Sequence, residues 1–292
     1  LNLSLINTLK ILGYDIIMMK KINLGGTMKI LLLMKTVPDT TNARIDPETN
    51  NLIRDGIKTV INPSDLCGLK FALNISEQVE EDVQIDVLTM GPPSAEKYLR
   101  ECIQMGAEEA YLLEGLEFKG SDTIATSYAL AEAARSIGDY DIIFTGDQTM
   151  DGDTGQVGPQ VAERLGMNQV TYVSDINYVD GEFEVKRNIG TGVETVKLST
   201  PFVATALKGS VNKPSKFALK RSKIAKEKEI HDLTPSSLGL DLEKLGQKGS
   251  LTIVKDLSAP RKSEAGNIID KDSAKENIEE VIKILEDKKV LV

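Results

Sequence analysis

The sequence is poor in the residue types that carry most metal and nucleophilic chemistry. Its 292 residues include one histidine, His231, two cysteines, Cys67 and Cys102, and no tryptophan. This excludes a zinc site of four cysteines or of paired cysteines and histidines, a protein-ligated iron–sulfur cluster and a HExxH metalloprotease. A Ser-His-Asp triad is disfavoured, because the only histidine lies in the polar stretch EIHDLTPSS. Any demanding chemistry must therefore come from a bound group.

The cysteine spacing and the charge balance indicate where the protein works. Cys67 and Cys102 do not form a CxxC motif and fall within helical apolar patterns, which favours buried side chains in a reducing cytosol. The chain has 35 basic and 44 acidic residues, a formal charge of −9, which disfavours binding to nucleic acid or anionic lipid. No window approaches the roughly 18 apolar residues of a membrane span. We expect a cytoplasmic protein that neither binds nucleic acid nor crosses a membrane.

The chain divides into three parts by composition. The apolar stretch within residues 1–27 is interrupted by Lys10 and Asp15, and no A-x-A cleavage site of a signal peptide is present. We therefore interpret these residues as an N-terminal extension. Residues 28–212 alternate regularly between apolar runs and amphipathic stretches. Residues 213–292 contain fewer apolar residues and begin with a run of seven Lys or Arg over 213–228. We expect this last part to be an extended arm that packs on something else.

Residues 28–165 have the pattern of alternating strands and helices. Apolar runs predict buried strands at 29–35, 84–90, 110–114 and 140–146, and amphipathic segments predict helices at 94–105, 121–137 and about 157–165. A further helix is expected to open at Asn62-Pro63-Ser64-Asp65 with Ser64 as its N-cap. This alternation is typical of right-handed crossovers and a parallel sheet. The fold class expected is therefore α/β.

Beyond residue 165 the pattern changes. Four segments within 170–206 alternate or run apolar around Gly181 and Gly190, which predicts short antiparallel strands added to the sheet. A last helix is predicted over 273–288.

Three loops that follow predicted strands have a composition unusual enough to mark them as candidate binding loops: residues 36–39, 90–93 and 146–159. The last contains Gly146, Gly152, Gly155 and Gly158 just before a helix. Glycines let a backbone approach a pyrophosphate, and a helix N-terminus binds an anion without needing a lysine. No G-x-G-x-x-G or G-x-x-x-x-G-K-[ST] motif is present. From spacing alone, a nucleotide site and a glycine-rich turn capped by Asp and Thr remain equally open.

The aspartates of this loop do not have the spacing of a calcium site. An EF-hand loop needs ligands at positions 1, 3 and 5 and a glutamate at position 12. Asp147, Asp151 and Asp153 stand at positions 1, 5 and 7, and position 12 is Gly158. We therefore expect no metal site, and we interpret these aspartates as capping or ribose-binding groups.

Four motifs in order make the chain similar to a known family. KILLLMKTVPDT at the first strand, INPSD at the first helix, VLTMGPP after the second strand and GDQTMDGDTGQVGPQVA after the fourth resemble the beta subunit of electron-transfer flavoprotein. The resemblance runs from about Met28 to Lys228, and VKRNIGTGVETVKLSTPFVATA at 185–206 adds to it. The chain departs from the family pattern at Asn188, where an acidic residue usually follows the basic one.

This resemblance implies a fold and a site. The fold is a mostly parallel nucleotide-binding domain of the adenine-nucleotide alpha-hydrolase type, with added antiparallel strands and an extended C-terminal arm that wraps the partner subunit. No residue is expected to be catalytic. The residues implied to bind the cofactor are Leu33, Lys35, Asn62, Pro63, Ser64, Asp65, Met90, Gly91, Gly146, Asp147, Gln148, Thr149, Met150, Asp151, Gly152, Asp153, Thr154, Gly155, Gln156 and Val157. Gly192, Val193 and Glu194 are implied to dock a dehydrogenase.

The resemblance also implies cofactors and partners. The implied partners are an alpha subunit that holds a flavin, a flavin-containing dehydrogenase and ferredoxin. Members that bind only AMP typically carry a more acidic D-D-D version of the loop, whereas Asp151-Gly152-Asp153 here resembles the electron-bifurcating branch. The expectation is FAD with NADH as electron donor, and AMP is the alternative. A catalytic adenine-nucleotide enzyme is less consistent, because Val37-Pro38-Asp39 stands where a phosphate loop would follow the first strand.

Overall fold

The computed structural model describes residues 26–39, 44–45, 52–53, 58–212, 219–253, 266 and 268–290, with backbone only at 44–45, 52–53 and 219–220. Most of the predicted N-terminal extension, residues 1–25, lies outside the described residues. So do 213–218 and 254–265 of the predicted arm.

The described chain forms strands and helices in alternation. The strands are β1 (Met28–Leu33), β2 (Thr36–Pro38), β3 (Arg44–Ile45), β4 (Leu52–Ile53), β5 (Thr59–Ile61), β6 (Val83–Met90), β7 (Ala110–Leu113), β8 (Ile142–Gly146), β9 (Asn168–Val179), β10 (Glu182–Asn188), β11 (Val193–Leu198), β12 (Phe202–Ala206) and β13 (His231–Leu233). The helices are α1 (Pro63–Ser76), α2 (Glu96–Met105), α3 (Thr123–Ile137), α4 (Val157–Leu165), α5 (Leu219–Glu227), α6 (Gly246–Gly249) and α7 (Ala274–Asp287).

Nine of these strands make one sheet in the order β11-β10-β9-β12-β8-β1-β6-β7-β13. Every neighbouring pair from β9 to β13 is parallel, and only β10 and β11 add antiparallel pairs at one edge. The mostly parallel α/β fold expected from the sequence is confirmed. β2 pairs with β5, and β3 with β4, in two small antiparallel ribbons.

The sheet is buried on both faces. Along β1, Ile30 and Leu32 pack with α1 and α2, whereas Leu31 and Leu33 pack with α3 and α4. Both faces of a strand in this position must be apolar, which is why the run KILLLMK is continuous rather than alternating.

The predicted antiparallel role of 202–206 is wrong. β9, β10 and β11 form an antiparallel meander, but β12 lies between β9 and β8 and is parallel to both. All five of its residues are buried. A strand that is buried along its whole length is typical of the interior of a parallel sheet, and its local sequence does not specify the strands it pairs with.

The predicted N-cap of the first helix is also corrected. α1 begins at Pro63 with Asn62 as N-cap, so Ser64 lies inside the first turn rather than before it. Proline is preferred at the first helical position because its missing N–H has no intrahelical partner there. Ser64 is thereby free for another role.

The first part of the predicted arm packs on the body. β13 pairs in parallel with β7, and Ala225, Leu240 and Leu245 are buried against the two core faces. In contrast, none of the residues of α7 is buried. The division of the chain at residue 212 and the wrapping of a partner stay predictions. No helix within the described ranges is both long and apolar enough to cross a membrane.

Candidate nucleotide-binding site

The order of the strands creates a crevice beside β1. From β1 the chain continues to β6 and β7 on one side and then returns to β8 on the other side of β1. In open α/β sheets, ligands bind at such a reversal, beyond the carboxyl ends of the strands. Lys35 follows β1, and Gly146 ends β8. Two of the loops selected from the sequence therefore meet at this point.

Asp65 connects the segments around the crevice. The backbone N–H of Lys35 donates to Asp65 Oδ2 at 2.7 Å, and the backbone N–H of Gly146 donates to Asp65 Oδ1 at 2.9 Å. The side-chain amide of Asn62 also donates to Asp65 Oδ1, at 2.9 Å. With three donors on a carboxylate that is 3% exposed, Asp65 holds the ends of β1 and β8 against the start of α1.

The surroundings of Asp65 affect its pKa in opposite directions. Burial raises the pKa of this carboxyl, while the Asn62, Lys35 and Gly146 hydrogen bonds and the Lys35 charge lower it. Burial is the larger effect, and the pKa rises from 3.8 to about 7. Near neutral pH, Asp65 is therefore close to its titration midpoint.

Gly146 lies where no side chain fits. A Cβ at this position would fall 2.7 Å from Ser64 Cβ and 2.9 Å from Asn62 Nδ2, and closer still to Asp65 Oδ1. Two buried polar atoms beside it, Asn62 Oδ1 and Ser64 Oγ, have no hydrogen-bond partner among the described residues. Because buried polar atoms are nearly always paired, these two atoms suggest groups that a ligand would satisfy.

The loop after β8 is held by the Asn62 side chain and by hydrogen bonds within its own backbone. Asn62 Nδ2 donates to the carbonyl of Gln148 at 2.9 Å, and the N–H of Asp153 donates to the carbonyl of Thr149 at 2.9 Å. Asp153 and Gly155 have φ of +55° and +63°, in the left-handed region. Glycine adopts this conformation without strain, which explains the need for Gly155 in a loop that must reverse before α4.

An ion pair closes one side of the loop. Lys35 Nζ lies 2.8 Å and 2.9 Å from the two carboxylate oxygens of Asp151. Burial raises the pKa of Asp151, but the hydrogen bond and the charge of Lys35 outweigh it, so the pKa is lowered overall. The positive charge of Lys35 thus compensates the negative charge of Asp151 in the loop that precedes α4.

The N-terminus of α4 is uncapped and held tightly against the sheet. The side chain of its N-cap residue, Gln156, makes no capping hydrogen bond and accepts one from the Thr123 hydroxyl at 2.9 Å. A Cβ on Gly158 would lie 2.6 Å from Thr205 Cγ2 and 2.8 Å from Thr145 Oγ1. The first N–H groups of α4 therefore lie close to the strand ends and have no intrahelical acceptor.

The structure does not bring all of the predicted residues together. Leu33 has its side chain in the core, so it can offer only its backbone to a ligand. Met90 ends β6 and Gly91 follows it, and β6 is separated from β8 by β1. The predicted docking residues Gly192, Val193 and Glu194 lie at the β10–β11 hairpin on the sheet edge, and three strands separate β11 from β8.

Two residues beside the loop, Tyr172 and Thr205, were not predicted from the sequence. The hydroxyl of Tyr172 lies 3.8 Å from the position of a Cβ on Gly155, and Thr205 accepts the N–H of Tyr172. Neither position stands out in the sequence, since both fall within strand patterns. Their proximity depends on the pairing of β9 with β12.

Comparison with known proteins bears on this site. Residues 49–238 match the family model described as the electron transfer flavoprotein domain. The electron transfer flavoprotein subunit beta of Thermoanaerobacterium thermosaccharolyticum is 42% identical over 265 residues, which cover 90% of this chain and 100% of that protein. The chain belongs to the electron transfer flavoprotein family, as a beta subunit.

Two further relatives carry other names. Protein FixA of Azorhizobium caulinodans is 42% identical over 252 residues, 83% of this chain and 89% of that protein. The caffeyl-CoA reductase-Etf complex subunit CarD of Acetobacterium woodii is 39% identical over 236 residues, 80% of this chain and 89% of that protein. Family membership implies an alpha-subunit partner and association with a flavin or AMP.

Proposed function

We propose that this electron transfer flavoprotein beta subunit binds FAD at the β1–β8 crevice and receives electrons from NADH. These electrons would leave separately, one to ferredoxin and one, through the flavin of the alpha subunit, to a partner dehydrogenase of the lactate or acyl-CoA/enoyl-CoA type. The observation that carries the proposal is the loop 146–156, which runs from Gly146, packed against two residues with unpaired buried polar atoms, Asn62 and Ser64, to the uncapped N-terminus of α4. When bound, a flavin supplies hydride acceptance and the release of single electrons, which this chain's own side chains cannot provide.

The residues of the loop suit the phosphates of a dinucleotide. The first N–H groups of α4 and the helix dipole attract negative charge. Lys35 compensates Asp151, so the loop repels an anion less than its three aspartates suggest. Gly155 permits the close approach of backbone to phosphate. The role of these residues is to bind and orient the nucleotide, and they transfer no proton.

The adenosine portion fits the other side of the crevice. Asn62 Oδ1 can accept a hydrogen bond from a ligand, and Ser64 Oγ can donate or accept one. Asn62 is the N-cap of α1 and Ser64 lies in its first turn, and the side chains of both pack closely against Gly146. Asp65 then acts by holding this arrangement, since its own oxygens already accept three hydrogen bonds.

The choice of FAD over AMP rests on the charge and bulk of the loop. Gly152 is exposed and adds neither a carboxylate nor a side chain between Asp151 and Asp153. This favours the second phosphate and the ribityl chain of FAD. The similarity to CarD, a subunit of a caffeyl-CoA reductase-Etf complex, and to FixA fits the bifurcating branch. The alternative is a non-bifurcating subunit that binds structural AMP.

The nucleotide content of the purified complex tests this choice. We expect acid extraction to release two FAD and no AMP per heterodimer, and we expect NADH to reduce ferredoxin when the dehydrogenase and its acceptor are present. One FAD with one AMP, and no ferredoxin reduction, would assign the protein to the AMP-binding class instead.

A glycine variant tests the location. Gly155→Val introduces a β-branched side chain at φ +63°, 3.3 Å from the carbonyl of Asp147, so we expect loss of nucleotide with the fold retained by circular dichroism. Gly181→Val is the matched control, because its φ of +84° imposes similar strain at a hairpin with open space around it. Full nucleotide retention by Gly155→Val, or equal loss in both variants, would contradict the assignment.

A further inference from the structure

Tyr172 has a backbone conformation that is unusual for an aromatic residue. Its φ is +56°, in the left-handed region that bulky side chains rarely adopt. It lies at a bulge in β9, where the pairing with β12 passes from Val170 opposite Ala204 to Val173 opposite Ala206. Two residues of β9, Thr171 and Tyr172, thus oppose the single residue Thr205. Bulges redirect side chains and are frequent beside active sites.

The surrounding structure holds Tyr172 in this conformation. Its backbone N–H donates to Thr205 Oγ1 at 3.0 Å, and Thr205 is itself buried. A residue in a sparsely populated backbone region persists only when neighbouring groups maintain it, and such residues cluster at functional sites. The hydrogen bond to Thr205 supplies that support.

The bulge turns the Tyr172 side chain away from the core. Other apolar residues of β9, such as Val173 and Ile176, are buried, and Tyr178 packs against Phe183 with ring centroids 5.0 Å apart. Tyr172 is instead 42% exposed. Packing in the hydrophobic core therefore does not account for this aromatic residue.

The hydroxyl is the end of Tyr172 that faces the loop. Its Oη lies 3.8 Å from the position of a Cβ on Gly155, with no nearer ring atom at that glycine. None of the hydrogen bonds formed between described residues uses this hydroxyl as donor or acceptor. An O–H that no other described residue binds thus stands beside the backbone that precedes the N-terminus of α4.

We infer that Tyr172 is a further ligand-binding residue of this site, whose hydroxyl donates a hydrogen bond to a phosphate oxygen of the bound nucleotide. The inference rests on the proposed nucleotide site and adds a residue that its loop motif does not contain. A phenol O–H complements the α4 N–H groups, because it approaches from the sheet rather than from the helix. Thr205 acts as a positioning residue through the Tyr172 backbone.

Removal of the hydroxyl alone tests the inference. FAD, AMP and adenosine are titrated into the nucleotide-stripped full-length complex carrying Tyr172→Phe or no substitution. Because a hydrogen bond to a charged group contributes substantially to binding, we expect Tyr172→Phe to bind FAD and AMP about tenfold more weakly. Adenosine, which has no phosphate, should bind equally to both proteins. Tyr178→Phe removes a hydroxyl from the same strand away from the loop and should change nothing.

A second variant separates the function of Tyr172 from its strain. Tyr172→Gly removes the hydroxyl and adopts φ +56° freely, so it should bind FAD and AMP as weakly as Tyr172→Phe without a lower unfolding temperature. Unchanged FAD and AMP affinity in Tyr172→Phe, or an equal loss for adenosine, would overturn the role of the hydroxyl. A wild-type complex that binds neither FAD nor AMP would overturn the proposed function itself, and this inference with it.

Discussion

At the scale of single residues, Asp65 shows how one buried carboxylate can organise a binding crevice. Its three hydrogen-bond donors come from the end of β1, the end of β8 and the start of α1. All three donors favour the ionised form, whereas burial favours the neutral form. The resulting pKa of about 7 means that the protonation of Asp65 affects the stability of the fold in the physiological pH range.

We expect Asp65 to make the wild-type protein less stable as the pH rises from about 4 to about 7. With the folded pKa raised above the unfolded value, the folded state binds the extra proton in this window. The free energy of unfolding should then fall with pH, by up to about 1.4 kcal/mol per pH unit, and level off above pH 7. Asp65→Asn should lack this dependence. Urea unfolding of both proteins between pH 4 and 8 measures the difference.

Asp122 provides a control of opposite sign. Burial raises the pKa of this N-cap carboxylate of α3, but N–H donors that include Ala125 and Thr252 outweigh it and lower the pKa overall. Asp122→Asn should therefore remove stability that is present at neutral pH and is lost as the pH falls through the low folded pKa. Equal pH profiles for wild type and Asp65→Asn would show that Asp65 does not titrate in this window.

At the scale of elements, the β10–β11 hairpin presents apolar side chains that contribute nothing to the core. Val193 is 64% exposed and Ile189 is 50% exposed, and the turn is held by the Ile189 N–H, which donates to the carbonyl of Gly192 at 3.0 Å. Glu194 lies 3.6 Å from Arg187 on the neighbouring strand. An ordered hairpin with an exposed apolar tip suits the docking role predicted for Gly192, Val193 and Glu194.

Val193→Asp tests that role. A charge in place of an apolar anchor should raise the KM of the partner dehydrogenase for the complex by about tenfold, because burying an unpaired carboxylate opposes docking. Stability and nucleotide content should not change, since Val193 is outside the core. Val179→Asp is the control, as Val179 is 41% exposed at the other end of this meander. A normal KM for Val193→Asp, or the same rise in both variants, would place the contact elsewhere.

At the scale of the whole molecule, residues 219–253 belong physically to the body. The Arg100 guanidinium donates to the carbonyls of Ala225, Lys226 and Lys228, and β13 extends the sheet beyond β7. The carboxylate of Asp122 accepts the N–H groups of Leu251 and Thr252. None of the residues of α7 is buried, and Ile278, Val281 and Ile282 give this helix an exposed apolar side.

Two truncations should separate these parts of the arm. A chain that ends at residue 253 keeps β13 and the buried Leu240 and Leu245, so we expect a folded body that no longer co-purifies with the alpha subunit. A chain that ends at residue 212 exposes the core under these residues and should lose several kcal/mol of stability. Thermal unfolding and co-purification measure the two effects. If the chain truncated at residue 253 still co-purifies with the alpha subunit, α7 is not needed for the interface.

The sequence alone determined those features that depend on neighbours along the chain. Continuous apolar runs identified β1, β6, β7 and β8, and the predicted helix at about 157–165 agrees with α4 (Val157–Leu165). The loop before α4 was selected because glycine and a helix start have local chemical consequences. The family motifs added the family, since they occur in order along the chain, and with it the predicted position of a nucleotide site.

Only the tertiary structure decided which distant residues meet. Asp65 receives the N–H of Lys35 from 30 residues away and that of Gly146 from 81 residues away. The parallel position of β12 and the bulge at Tyr172 likewise depend on which strands pair. The local pattern of apolar residues indicates how a segment is buried, but it does not indicate which other segments it packs against. The sequence therefore determined the loops of the site, and the sheet order determined how they combine.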